Sequence, residues 1–273
     1  MWQCPLCQQS LQLTDKFWHC ENNHTFDKAK SGYVNLLPVQ NKNSRQPGDD
    51  KVMLTARKDF HSTAGYAPLM AELAACIHKE TLHKSAVCLF ETGCGEGAYV
   101  RYLRQALSAH KVSLTTSAND IAKVGVERAA KADKESQYVV ASSYHLPLQS
   151  ESQDVLLEVF APGDHAEYAR VMKPDGVMIT VDPGPEHLFE LKQHIYTHPQ
   201  KHEISAPDSE ALTMKAQQHV KFSLDLHDDK RRTGLLGMTP LYWKLQPEKR
   251  EALAEALQQV TADFVIRTWC KPS

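Results

Sequence analysis

Apolar positions along this chain follow two rhythms. Short runs at residues 87–90, 137–141, 154–160 and 177–181 are largely apolar and, with the more mixed run at 112–117, read as strands of a parallel sheet, the first of them buried. Between and around them, apolar residues recur at helical spacing over residues 52–60, 66–77, 98–107, 121–131, 164–172 and 248–260. Residues 220–226 and 263–269 alternate instead, as half-buried strands do. Lys173-Pro174-Asp175-Gly176 reads as a turn before a strand, and Pro183-Gly184-Pro185 as the entry to another helix. Strands alternating with helices predict an α/β domain with a parallel sheet, closed by an antiparallel pair.

The first 26 residues have neither rhythm. Trp2, Leu11, Leu13, Phe17, Trp18 and Phe26 are too few to form a core alone, so a metal is expected to supply the missing stability. Cys4 and Cys7 form a CxxC, and Cys20 and His24 follow after a hairpin-length insert. That is the spacing of a closed structural zinc site, one ion on three thiolates and an imidazole. His19 is a rival ligand, but its side chain should point away from its neighbour Cys20. A redox CxxC with Cys20 as bystander is the alternative.

Composition narrows the class. The 273 residues carry a formal charge of −2, which gives no global signal for nucleic acid. Between Lys28 and Lys58, however, seven Lys/Arg face two Asp, which suits either a phosphate-rich partner or a solvated linker. Lys230-Arg231-Arg232 is open to the same two readings. No apolar run approaches membrane-spanning length and the N-terminus does not read as a signal peptide. With seven cysteines, an odd number, this predicts a reducing, cytoplasmic setting.

The chemistry-bearing stretch follows the first buried strand. Glu91 closes it, Gly93-Cys94-Gly95-Glu96-Gly97 turns the chain, and a helix begins at Ala98. Such a loop lets the backbone approach a ligand at a helix N-terminus. Its spacing is not that of a pyrophosphate-binding loop, and the acid before the first glycine suits the positive end of S-adenosylmethionine. The stretch resembles motif I of the class I methyltransferases. Asp120, ending the next strand, is placed to bond ribose hydroxyls; capping the following helix is its other reading. His194, His198 and His202 are spaced along one helical face, but Pro199 interrupts it and no acid or thiol completes a metal set.

The Cys-x2-Cys…Cys-x3-His run, Gly32-Tyr33-Val34-Asn35-Leu36-Leu37-Pro38-Val39-Gln40, Pro47-Gly48-Asp49, Ala56-Arg57 and the Gly93–Gly97 loop together resemble the bacterial 23S rRNA (guanine-N1)-methyltransferases, over nearly the whole chain. The resemblance implies a class I S-adenosylmethionine-dependent fold, Rossmann-like with a seven-stranded sheet, behind a small N-terminal zinc ribbon. It implies a zinc-ribbon RNA-recognition module over 1–35, a basic linker and active-site lid over 36–65, and a methyltransferase domain over 66–273. The expected cofactor set is Tyr66, Glu91, Gly93, Gly95, Glu96, Gly97, Asp120, Ser142 and His187; Asp49 and Arg57 are expected on the acceptor side. The partner implied is a 23S rRNA stem-loop, and the oligomer a homodimer. A small-molecule methyltransferase and a non-catalytic rRNA-binding assembly factor are the competing readings.

Overall fold

A computed structural model describes residues 2–38, 48–109, 112–204 and 209–272. A three-stranded antiparallel sheet opens the chain: β1 (Gln12–Leu13), β2 (Phe17–His19) and β3 (Thr25–Asp27). After β4 (Val34–Asn35) come α1 (Lys51–Ser62), α2 (Ala67–Thr81), β5 (Ala86–Thr92), α3 (Ala98–Ser108), β6 (Ser113–Asp120), α4 (Lys123–Ala132), β7 (Gln137–Val140), β8 (Gln153–Val159) and α5 (His165–Val171). The chain continues with β9 (Met172–Pro183), α6 (Phe189–Ile195), β10 (Thr213–Asp225), α7 (Asp229–Gly237), α8 (Pro247–Ala256) and β11 (Gln259–Cys270).

The main sheet runs β10-β11-β9-β8-β5-β6-β7-β4. Strands β5 to β9 are mutually parallel, β11 pairs antiparallel with β9, and β10 antiparallel with β11. Seven of these strands were expected; the eighth, β4, adds in parallel to the edge of β7 from the segment just after the ribbon. Order reverses between β5 and β8, where open α/β sheets bind their ligands at the carboxyl ends of the strands.

Period-two alternation explains the two cores. Val87 and Leu89 of β5, Val155 and Leu157 of β8, and Ile179 of β9 face the cluster beneath α1, α2 and α3. Phe90, Leu156 and Met178 face the opposite cluster. The ribbon helps cover that second face. Trp2 is 1% exposed and meets Trp18 and Phe90 edge-on at 6.5 and 6.3 Å. Gln3 donates its backbone N–H to the Pro147 carbonyl at 2.8 Å. The ribbon aromatics that could not make a core alone therefore complete one with the main sheet.

Three local expectations are corrected. Residues 173–176 are not a free turn but lie within β9, whose pairing with β8 shifts register there. Asp154 and Asp175 fix this end through Lys84 and Lys173. The last helix stops at Ala256, because the apolar residues from Val260 belong to β11. The helix after Pro183 starts only at Phe189, with Leu188 at φ 51° ahead of it. Of the basic stretch between Lys28 and Lys58, residues 39–47, including Val39, Gln40 and Pro47, lie outside the described residues. Arg231 and Arg232 sit on α7; Arg231 donates to the carbonyls of Thr63 and Asp225 and Arg232 to that of Leu226, which ties α7 to the end of α1 and to β10. Among the described residues no helix is long and apolar enough to cross a membrane.

Candidate active site

The glycine loop is held open from both sides. Gly93 (φ 69°) leaves no room for a side chain, since a Cβ there would lie 2.3 Å from the Ala161 methyl. A Cβ on Gly95 (φ 55°) would meet nothing closer than the Arg57 side chain, in ordinary contact at 3.6 Å. Both conformations are strained for any L side chain. Asp120 pins the loop: its Oδ2 accepts from the Gly95 N–H and its Oδ1 from the Ala122 N–H, each at 2.7 Å. Asp120 thus turns the chain ahead of α4 rather than capping it, and each oxygen keeps a lone pair for a ligand.

Beside the loop lies a cavity of about 420 Å³, in the range of sites for drug-sized ligands. Of the expected cofactor residues, Glu91, Gly93, Gly95, Glu96, Asp120 and Ser142 line it, joined by Asp49 and Arg57. Burial pushes the Glu91 carboxyl up to about 8, against the hydrogen bond it accepts from the Val100 N–H at 2.9 Å. Glu96 pairs with Arg101 at 2.8 Å, while its buried Oε1 has no partner among the described residues. Two buried carboxyls, one of them pushed toward neutrality, suit a ligand that brings positive charge, as the sulfonium and ammonium of S-adenosylmethionine do. Gly97 does not line the cavity; it starts α3 in a left-handed conformation, tight against Ala129 and Tyr138.

A second cavity of about 780 Å³ adjoins the first. Tyr66 and His187, expected at the cofactor, stand here instead. His187 is held toward β11, its Nδ1 3.3 Å from the Asp263 N–H. His198 and His202 line this cavity too, with no metal-holding group formed around them among the described residues.

The two cavities share Asp49, Arg57, His61, Tyr99 and Phe160. Asp50 caps α1 by accepting the Val52 and Met53 N–H groups, so that Asp49 sits just ahead of the helix. Arg57 and His61, one helical turn apart, face the cavities together. Arg57 reaches back to Asp49 through Nε at 3.2 Å and Nη2 at 2.6 Å, both to Oδ2. Oδ1 accepts no hydrogen bond among the described residues. The buried Nδ1 of His61 also lacks a partner there. Burial and the Arg57 and Arg101 cations hold its imidazole down to about 3, so it is neutral at physiological pH.

His61 and Tyr99 were missed in the sequence, whereas Phe160 stands at the end of the strand that the class I resemblance turns toward the methyl acceptor. The turn-apart spacing of Arg57 and His61 was the available signal for one of them. Glu158 faces the other side of the sheet from Glu91, where its Oε2 accepts from the Tyr168 hydroxyl at 2.5 Å. It lines neither cavity.

In the ribbon, the ligand atoms of Cys4, Cys7, Cys20 and His24 all lie within 4.8 Å of one another. The Nδ1 of His24 stands 3.5 Å from the sulfurs of Cys4 and Cys20, and Cys7 Sγ is 3.6 Å from Cys20 Sγ. Zinc bonds of about 2.3 Å to sulfur and about 2.0–2.1 Å to nitrogen put tetrahedral neighbours about 3.5–3.8 Å apart. The four donors therefore fit one structural zinc, with no position left open. His19 stays out of the set, its ring against Phe17.

Sheet order, glycine loop and the acidic cavity beside it define an S-adenosylmethionine-dependent methyltransferase of class I, with a zinc ribbon built onto it. Residues 2–45 match the family model of the RlmA N-terminal zinc ribbon, and residues 90–180 a methyltransferase domain model. The 23S rRNA (guanine(748)-N(1))-methyltransferase of Streptomyces fradiae is 31% identical over 99% of this chain and 96% of its own length. YxjB of Bacillus subtilis (strain 168), provisionally named a 23S rRNA (guanine-N(1)-)-methyltransferase, is 31% identical over 97% of this chain and 94% of its own. The chain belongs to the 23S rRNA (guanine-N1)-methyltransferase family.

Proposed function

We propose that this protein transfers a methyl group from S-adenosylmethionine to N1 of a guanine in a stem-loop of 23S rRNA. The observation that carries the reading is similarity to relatives of that name across both ribbon and body. Glu91, Glu96, Asp120 and the backbone of residues 93–96 would hold the cofactor, which when bound supplies an electrophilic methyl group.

Guanine N1 is protonated at neutral pH and buried in a base pair. It must be turned out of its stack and must lose that proton before it can attack. Asp49 and Arg57 stand in the wall common to both cavities and offer the two groups this needs. The Asp49 carboxylate accepts the N1 proton through Oδ1, the oxygen that Arg57 does not bond. The Arg57 guanidinium donates toward O6, where negative charge gathers as the proton leaves. The segment carrying them, with α1 as its helix, roofs the cofactor cavity and serves as its lid. The ribbon serves as an RNA-recognition module.

Labelled S-adenosylmethionine and 23S rRNA lacking its native methyl groups provide the test, with nucleoside analysis of the product. N1-methylguanosine, lost with Gly95→Arg, is the expected result. Incorporation into a small-molecule acceptor but not into RNA would replace this reading with the small-molecule one. Absence of cofactor binding would favour a non-catalytic assembly factor.

A further inference from the structure

An extruded base needs contacts on its face as well as its edge, and Asp49 and Arg57 serve only the edge. We infer that Phe160 is the platform on which the target guanine stacks, which rests on the guanine-N1 reading above. Phe160 directly follows β8 at the boundary of the two cavities and lines both. It is 39% exposed, whereas its aromatic neighbours Tyr66 and Phe264 are buried. Its backbone is left-handed at φ 54°, a conformation that a bulky side chain rarely takes. Neighbouring contacts enforce that conformation. The Phe160 N–H bonds the Val181 carbonyl at 3.1 Å, and Ala161 packs onto Gly93 of the cofactor loop. The ring rests on Phe264 at 5.7 Å and on His187 at 5.8 Å, inclined by only 32° to the imidazole.

A ring seated only for packing would be covered by the elements around it. This one is buttressed from behind by two rings and left open toward both cavities. Asp49 and Arg57 share the same boundary. A base lying on Phe160 therefore meets a carboxylate and a guanidinium at its edge, with its N1 toward the cofactor cavity. Stacking is tolerant of the aromatic partner but not of an aliphatic one.

The test compares Phe160→Leu with Phe160→Tyr in the full-length, zinc-loaded protein on undermethylated 23S rRNA. RNA affinity is measured without cofactor, the methylation rate in single turnover, and S-adenosylmethionine affinity by calorimetry. Phe160→Leu should weaken RNA affinity or slow transfer by about 5- to 150-fold. Phe160→Tyr should stay within a few-fold of the parent, and cofactor affinity should hold in both. Full activity of Phe160→Leu would overturn the platform, as would equal loss in both variants accompanied by lost cofactor binding, which marks a cavity wall. If the parent protein itself makes no N1-methylguanosine, the guanine-N1 reading falls, and the platform with it, before any variant is compared.

Discussion

At the scale of single residues, two carboxylates carry opposite demands. Asp49 is half-exposed and bound to Arg57 through one oxygen, and among the described residues the other accepts no hydrogen bond and can take a proton. Asp49→Asn keeps the shape and removes the base. Transfer should fall about 10²- to 10⁴-fold while S-adenosylmethionine affinity is retained, as rate and calorimetry would show. Glu91 is 1% exposed and burial holds its carboxyl up to about 8, against 4.5 unfolded. Between those values the folded state binds the extra proton, so ∂ΔG/∂pH is negative. Glu91's contribution is fully present below about 4.5 and is lost as pH rises through about 8. Glu158, pushed up to about 7 mainly by burial, acts in the same direction. Above about pH 7, where His61 and His187 are neutral both folded and unfolded, thermal stability of the cofactor-free protein should therefore decline toward pH 8.5, and less steeply in Glu91→Gln. An unchanged slope in that variant would show that Glu91 is ionised throughout. Glu91 and Asp120 were legible because an acid at a strand's end beside a glycine loop is a local pattern. That Tyr66 and His187 line the larger cavity was not legible, because the cavity that a side chain enters depends on elements far apart in the chain.

At the scale of elements, the ribbon depends on its metal. Its strands are two or three residues long, too short to persist alone, and its four ligand atoms already stand at zinc spacing. One zinc per chain should be found by elemental mass spectrometry. Stripping it with a chelator, or replacing Cys20 with Ala, should open the ribbon and expose Trp2 and Trp18, seen as a red shift in tryptophan emission. No shift after complete removal of the metal would mean that packing on the main sheet suffices. Strands β5, β7 and β8 were readable from the chain because their centres are short, largely apolar runs, and β6 because it falls between two helical patterns with β-branched residues at its centre. The overrun of α8 had the opposite cause: apolar spacing near Leu257 and Val260 fits the end of a helix as well as the start of a strand. The turn expected at 173–176 was drawn into β9 by Lys84 and Lys173, partners distant in sequence or in pairing.

At the scale of the molecule, the ribbon is part of the second core of the main sheet, and this decides how RNA recognition can be tested. Trp2 bridges to Leu148 and packs on Phe90, so Trp2→Ala should cost about 3–5 kcal/mol. Deleting the ribbon would expose that sheet face and confuse unfolding with loss of RNA binding. A groove between ribbon and body offers the cleaner experiment. Lys16, Lys28 and Lys30 line it from one side and Lys134 from the other, the last donating to the Ser31 carbonyl at 2.7 Å. All four are exposed, interspersed with Asp15, Asp27 and Glu135. If RNA phosphates run along this groove, each lysine that neutralises one releases counterions, and binding weakens with salt accordingly. Replacing the four with Ala should lower the magnitude of the slope of log affinity against log salt, by about one for each phosphate no longer neutralised. Cofactor affinity and melting temperature should stay as they were. An unchanged slope would move the RNA path off the groove and onto the mouth of the larger cavity, where Lys192 stands with Arg57 in the lining.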